Sequence, residues 1–282
     1  MIQKALIPIA GLGTRMGAIT RALPKALFPL VTADGAARPV VRLILDEALA
    51  TSVQQVALIV SPGQIDRVRA YVAASDELER TDLARRITYV IQPEPKGFGE
   101  AVARGRDFIG DDPFLLFLGD YVYVAEEGAP PCAAQVAAAF GQYAGAAMVG
   151  MQPIGQDELA RCGVARGDPV AGNVFRCTRL IEKPDLDTAR RRLVTPGLPD
   201  GRFLAHCGIY AFSPALFDCL DELVQRDRSG GEEIQLADAQ QMLLERHPRD
   251  YYLLRISGRG YDTGTPAGYA ETFDAIRHAA ER

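Results

Sequence analysis

Ala5-Leu6-Ile7-Pro8-Ile9-Ala10-Gly11-Leu12-Gly13-Thr14-Arg15-Met16 is the stretch on which the fold turns. Ala5 to Ile9 is a short apolar run of the size of a buried strand, and the glycines after it break the chain into a turn. An open α/β sheet binds its ligands at such places, beyond the carboxyl end of a strand. Glycines let backbone N–H groups approach phosphate oxygens closely, and Arg15 offers a planar, permanently charged fork. Lys25, in Leu23-Pro24-Lys25, adds a second cation. The loop therefore predicts a nucleotide site.

Residue order discriminates among the nucleotide loops. A P-loop needs Lys-Ser or Lys-Thr after its last glycine, and none follows here. A Rossmann dinucleotide site needs a third small residue where Met16 stands and an unbroken helix, which Pro24 and Pro29 interrupt. A tight turn with a merely solvated Arg15 is the structural alternative.

Working outward, Val56 to Val60, Ile87 to Ile91, Phe114 to Leu118 and Ala146 to Met151 repeat the short apolar pattern. Val40 to Leu49, Ile65 to Val72 and Phe98 to Phe108 carry apolar residues at helical spacing between them. This alternation predicts an α/β fold with a mixed, mainly parallel, doubly wound sheet. From Gly163 to Leu180 the pattern shortens and alternates, which predicts antiparallel hairpins inserted into that sheet. Cys207 to Phe212 reads as a strand, Pro214 to Val224 and Ile234 to Leu244 as helices, and Tyr251 to Ile256 as a strand. A closing helix runs from Pro266 to about Ala280.

The chain has 282 residues, 31 basic against 36 acidic, for a net charge of -5. That balance argues against broad capture of nucleic acid or an anionic membrane, so an anionic ligand needs a local site. No stretch of about 18 apolar residues could span a bilayer, and the N-terminal apolar run is too short for a signal-peptide core. Five cysteines without a C-x-x-C pair predict neither a disulfide framework nor a structural zinc site. A cytoplasmic protein is the expectation.

Asp120, in Leu118-Gly119-Asp120, and Asp262, in Tyr261-Asp262-Thr263-Gly264-Thr265-Pro266, both stand at strand ends. Two carboxylates plus substrate phosphates suffice for Mg²⁺, although aspartate is equally a favoured turn and capping residue. Glu182-Lys183-Pro184 ends the alternating region and reads either as a ligand-facing acid and base or as a surface pair. Gln92-Pro93-Glu94-Pro95-Lys96-Gly97-Phe98 forms a second glycine turn. His206, His247 and His278 are scattered without ligand spacing, which predicts surface or packing roles.

The run Ile7 to Met16, continued by Pro24-Lys25 and Phe28-Pro29-Leu30, resembles the signature of the sugar-1-phosphate nucleotidyltransferases. Within that family it is most similar to the bacterial UTP:glucose-1-phosphate uridylyltransferases. The similarity spans Ile7 to about Phe273 and is weakest over residues 31–86, where Thr32 to Arg38 looks like an extra turn. It implies a Rossmann-like nucleotidyltransferase fold of the GT-A kind, one domain over 1–282. Residues 1–150 would mainly bind nucleotide, 151–260 mainly sugar phosphate, and 261–282 would supply a metal-binding turn and the C-terminal helix.

The resemblance also implies roles. Ala10, Gly11, Gly13 and Thr14 would wrap the nucleoside triphosphate, while Gln92 and Gly97 would meet its base. Arg15, Lys25 and Asp120 would be catalytic, and Asp120 and Asp262 would hold Mg²⁺. Gly163, Glu182 and Lys183 would bind the sugar phosphate. The implied reaction moves a nucleotidyl group from a nucleoside triphosphate to a sugar 1-phosphate and releases pyrophosphate. UTP and glucose 1-phosphate are the expected pair.

Pro93 stands where the uridylyl enzymes carry a glycine, and Tyr261 to Thr265 is worded more like the thymidylyl enzymes. Gly231-Glu232-Glu233-Ile234-Gln235-Leu236-Ala237-Asp238 is again of the uridylyl type. Thymidylyl transfer from dTTP and another sugar 1-phosphate therefore stay open. A regulatory domain that binds sugar nucleotides without turnover is the alternative of a different class; it has no need of both metal carboxylates. A homodimer or homotetramer is expected, with neither nucleic acid nor membrane as partner.

Overall fold

The computed structural model describes residues 1–226 and 233–279. β1 (Lys4–Pro8) leads into the glycine loop and α1 (Ile19–Ala22), and β2 (Pro29–Val31) and β3 (Ala37–Pro39) form a small hairpin ahead of α2 (Val40–Leu49). β4 (Gln55–Val60), α3 (Ile65–Glu79), α4 (Leu83–Arg86) and β5 (Ile87–Ile91) follow. α5 (Phe98–Ala103) and α6 (Arg106–Ile109) precede β6 (Phe114–Phe117), β7 (Tyr121–Ala125), α7 (Cys132–Tyr143) and β8 (Ala147–Ile154). β9 (Gly163–Ala171), β10 (Val174–Glu182), α8 (Leu186–Arg192) and β11 (Phe203–Phe212) make up the next section. The chain ends through α9 (Ala215–Arg226), α10 (Leu236–Arg246), β12 (Tyr251–Arg255), β13 (Gly258–Asp262) and α11 (Pro266–Arg277).

The central sheet has nine strands in the order β5-β4-β1-β6-β11-β8-β12-β10-β9. β4 and β6 flank β1 in parallel, β5 joins β4 in parallel, and β12 runs parallel to β8. β11 runs against β6 and β8, and β10 against β12 and β9. The sheet is thus mixed and mainly parallel, with β11 and β10 pointing opposite to the rest. Consequently the exits of β1, β5 and β6 open on one edge, where the glycine loop, Gln92 and Asp120 lie.

Alternation along the parallel strands splits the core in two. Ile7, Leu58, Leu115 and Phe117 face α2, α3 and α7 through Ile44, Val68, Val72 and Val136. Leu6, Ile59, Phe114 and Leu116 face α5, α9 and α10 through Val102, Phe217, Leu220 and Leu243. Because successive strand residues point to opposite faces, a strand covered by helices on both sides must be apolar throughout. Truncating such a residue, as in Leu116→Ala, is expected to cost about 2–5 kcal/mol.

The structure differs from the sequence reading in places. Phe98 to Phe108 is two short helices, broken at Arg104-Gly105, because the chain there presses on β1: a Cβ at Gly105 would fall 2.5 Å from Leu6 Cδ1. The alternating region is one hairpin, β9–β10, with two register irregularities. α7 and β7 were not anticipated. The former buries Cys132, Ala133, Val136, Ala139 and Phe140, a helical spacing; the latter pairs with β13 outside the main sheet. The Thr32 to Arg38 turn joins β2 to β3. Gly231, Glu232 and Ala280 lie outside the described residues. All five cysteines are free, and no helix among the described residues is long and apolar enough to cross a membrane.

Candidate functional site

Leu118-Gly119-Asp120 leaves β6 where Gly119 lies against the end of β1. A Cβ on Gly119 would stand 2.1 Å from the Pro8 carbonyl oxygen, so the close approach of the two strand exits demands glycine. That approach carries Asp120 to the glycine loop, and its Oδ2 lies 2.5 Å from Lys25 Nζ. Gly13, at φ 64°, takes the left-handed conformation that favours glycine and packs on the same lysine, its Cβ direction meeting Lys25 Cβ at 3.3 Å.

Asp262 arrives from the other end of the chain. β13 pairs antiparallel with β7 and sets Asp262 opposite Tyr121, next to Asp120. Thr263 fastens the turn by donating both its N–H and its hydroxyl to the Asp120 carbonyl, each at 2.8 Å. The Gly264 N–H donates to Asp262 Oδ1 at 2.6 Å. α11 then starts on Thr265, whose hydroxyl accepts from the Gly268 N–H, with Pro266 in its first turn.

These contacts gather three charged groups around one point. The Cβ position that Gly264 leaves empty lies 2.7 Å from Asp262 Oδ1, 3.0 Å from Asp120 Oδ2 and 3.2 Å from Arg15 Nη2. Burial raises the Asp262 pKa and the Asp120 charge adds to the rise, against the Gly264 N–H, Lys25 and Arg15. Two hard carboxylate oxygens turned to one place, one of them disfavoured in its charged form, suit a divalent cation such as Mg²⁺. Among the described residues no cluster of three or more His, Cys, Asp or Glu side chains forms a metal site, so a cation here would complete its shell with water or ligand oxygens.

A hollow of about 210 Å³ joins this point to the β9–β10 hairpin. Arg15, Asp120, Asp262, Gly163, Glu182 and Lys183 all line it. Glu182 and Gly163 are cross-strand partners, and Gly163 leaves room for the acid: its Cβ direction is 2.8 Å from Glu182 Oε2. Lys183 leaves the strand at φ 47°, a left-handed position that costs a residue with a side chain about 1–3 kcal/mol. Its backbone N–H donates to the Cys162 carbonyl at 3.2 Å, and its Nζ stays exposed, 3.6 Å from Glu182 Oε1.

Ala10, Gly11, Gly13, Thr14, Gln92 and Gly97 do not line the hollow. Gly11 has nothing within 4 Å of its Cβ direction. Gln92 is buried, and its amide nitrogen donates to Glu100 Oε2 at 2.7 Å and to the Gly97 carbonyl at 3.1 Å. Gly97, at φ 99°, is pressed by the Ile234 backbone, whose carbonyl oxygen lies 2.5 Å from its Cβ direction. The close approach this glycine permits within the chain is therefore to Ile234.

Sequence spacing overlooked Tyr121, Arg161, Tyr210, Gln235 and His206, which also line the hollow. His206 is buried in β11, away from the surface. β11 pairs with β9 through Ala205↔Val164, which brings the imidazole to Gly163. An imidazole within the apolar run Phe203 to Phe212 was the available signal.

Comparisons with known proteins bear on the family and the fold. The nucleotidyl transferase family model matches residues 4–279. The UTP--glucose-1-phosphate uridylyltransferase of Bacillus subtilis is 32% identical over 289 residues, covering 96% of this chain and 89% of its own. UTP--glucose-1-phosphate uridylyltransferase 1 of Staphylococcus saprophyticus is 28% identical, covering 96% and 91%. A UDP-glucose pyrophosphorylase solved with UDP-glucose superposes with a TM-score of 0.80 at 25% identity over 100% of both chains. The UTP-bound enzyme of Acinetobacter baumannii shares the fold, with a TM-score of 0.74 at 20% identity over 100% of this chain and 98% of its own. With a family model covering nearly its whole length, this chain belongs to the nucleotidyl transferase family.

Proposed function

We propose that the protein transfers the uridylyl group of UTP to glucose 1-phosphate, forming UDP-glucose and releasing pyrophosphate. The observation that carries this reading is the meeting of Asp120, Asp262 and Arg15 around one point, in the hollow that also holds Glu182 and Lys183. The substrate pair comes from the named relatives, 32% and 28% identical.

An oxygen of the sugar phosphate attacks the α phosphorus of UTP. The new O–P bond forms as the bond to the β phosphate oxygen breaks, and the electron pair departs on pyrophosphate. The nucleophile is already an ionised phosphate, so no general base is needed; positioning and charge neutralisation supply the catalysis. Arg15 stabilises the pyrophosphate, and Lys25, already charge-paired with Asp120, the reacting phosphoryl group. Lys183 holds the incoming phosphate against the repulsion of the triphosphate, and Glu182 accepts hydrogen bonds from sugar hydroxyls. Ala10, Gly11, Gly13 and Thr14 present backbone to the triphosphate. Gln92, its nitrogen engaged by Glu100, presents its carbonyl oxygen to a donor on the base. When bound between Asp120 and Asp262, Mg²⁺ supplies Lewis-acid neutralisation of phosphate charge.

In this reading residues 1–150 serve mainly the nucleotide and 151–260 mainly the sugar phosphate, in the cytoplasm. Pyrophosphate release over a panel of nucleoside triphosphates and sugar 1-phosphates with Mg²⁺ tests it. UTP with glucose 1-phosphate should give the highest kcat/KM. A preference for dTTP would replace uridylyl by thymidylyl transfer. No release with any pair would leave a sugar-nucleotide-binding regulatory domain.

A further inference from the structure

We propose that His206 selects the sugar, by hydrogen bonding a hydroxyl next to the one that Glu182 accepts from; this rests on the sugar-phosphate transfer reading above. Three observations converge on it. First, the imidazole stands at the sugar end of the hollow: the Cβ direction of Gly163 lies 3.1 Å from His206 Nδ1, 3.3 Å from its Cε1 and 2.8 Å from Glu182 Oε2. The acid and the ring therefore both pack against Gly163, side by side on the wall of the hollow. Second, His206 is shared between this hollow and a neighbouring one of about 260 Å³, which also opens on Tyr121, Arg161, Cys162 and Asp262. It thus lies where the two hollows adjoin.

Third, among the described residues the ring nitrogen Nε2 has no hydrogen-bond partner. That atom is buried, and the ring stands perpendicular to Tyr210 at 5.7 Å between centroids. A buried polar atom left unpaired is unfavourable, and valine or isoleucine would fill this place in an apolar strand without that cost. A histidine retained there for packing alone is the poorer choice of side chain.

The chemistry of the pair fits a hydroxyl-bearing ring. Desolvation holds His206 neutral down to about pH 4, so one nitrogen donates and the other accepts. Glu182, as a carboxylate, only accepts. Adjacent hydroxyls on a sugar each carry a donor and an acceptor, so an acceptor-only acid beside an imidazole of mixed character reads their positions together. A site that hydrogen-bonds a hydroxyl discriminates strongly against an analogue that lacks it, because its own polar atom is then left unpaired.

The test compares wild type, His206→Val and His206→Gln in steady-state kinetics with glucose 1-phosphate and its single-deoxy analogues, with UTP saturating. His206→Val is expected to raise the KM for glucose 1-phosphate about tenfold, the size of one lost hydrogen bond, and to leave the KM for UTP within about twofold. It should also shrink the preference for glucose 1-phosphate over one deoxy analogue, and His206→Gln should recover part of both effects. A packing role predicts instead that His206→Val is at least as stable as wild type, with unchanged KM and unchanged preference; that result overturns the proposal. If wild type turns over no pair, the transfer reading falls by itself. Calorimetric binding of UDP-glucose to wild type and His206→Val then decides: about tenfold weaker binding by the variant upholds the role of His206, and equal binding overturns it.

Discussion

Lys25 and Asp120 lie 95 residues apart in sequence and 2.5 Å apart in space, with side chains 14% and 23% exposed. Lys183 and Glu182 are neighbours in sequence, 3.6 Å apart, and 60% and 47% exposed. The first pair is fixed by the fold, through Gly119 against β1 and Gly13 against the lysine stem, and is largely withdrawn from water. The second hangs at the end of a hairpin and pays little for breaking, since exposed ion pairs contribute about 0–1 kcal/mol. The contrast matches the two tasks proposed for them. Charge that must be in place when a phosphoryl bond breaks benefits from preorganisation, whereas a group that captures an incoming phosphate works from a solvated, movable position.

The largest effect should come from the fixed pair. Asp120→Ala removes one carboxylate from the Asp262 and Arg15 point and leaves Lys25 without its partner. Turnover should fall about 10³-fold or more, with an unchanged far-ultraviolet circular dichroism spectrum. Substantial residual pyrophosphate release with Mg²⁺ would break the assignment of Asp120 to the reacting centre.

Lys183→Ala should act differently. The KM for the sugar 1-phosphate should rise about 10–100-fold while Tm stays within about 2 °C, because the pair it breaks is exposed. A large loss of Tm would mean that the hairpin end is structural and would erase the contrast with Lys25. Gly163→Ala sharpens the same point at a smaller scale. Its Cβ would fall 2.8 Å from Glu182 Oε2 and 3.1 Å from His206 Nδ1, so the acid must swing away. The KM for the sugar 1-phosphate should rise about tenfold with kcat nearly kept, provided Glu182 binds a hydroxyl worth one hydrogen bond.

The same contrast marks how far the sequence could be read. Val40–Leu49 and β5 appear in the structure with the bounds that their apolar spacing predicts, and β1 and β4 differ by no more than one residue at either end, because local periodicity decides elements covered on known faces. Each exit carboxylate was visible singly, Asp120 after an apolar strand and Asp262 before a Pro-initiated helix. Their meeting was not legible from spacing, since it depends on the β7–β13 ribbon, whose alternating Tyr121-Val122-Tyr123-Val124 pairs across about half the chain. His206 was passed over for the same reason: its neighbours Gly163 and Glu182 reach it through β9–β11 pairing and share no spacing with it. Gly97 shows the converse. A glycine turn reads as space for a ligand, yet here the Ile234 backbone fills that direction.

Acid titration gives the smallest and most specific test of the sugar end. The ordinary histidine pKa of about 6.5 applies to the unfolded chain, and burial lowers that of His206 to about 4 in the fold. Between those values the unfolded chain binds the proton and the folded protein refuses it, so the stability tied to this residue is whole above about pH 6.5 and drains away as the pH falls towards 4. From pH 8 to pH 6 the loss is on the order of 1 kcal/mol, within reach of urea unfolding. Asp262, whose pKa burial and Asp120 raise, works in the opposite sense. The difference between wild type and His206→Val isolates the imidazole. The variant should lose about 1 kcal/mol less than wild type across that interval. Equal losses would mean that His206 is charged or solvated in the folded protein, and the sugar end would then hold no neutral donor and acceptor to set beside the exposed Glu182 and Lys183.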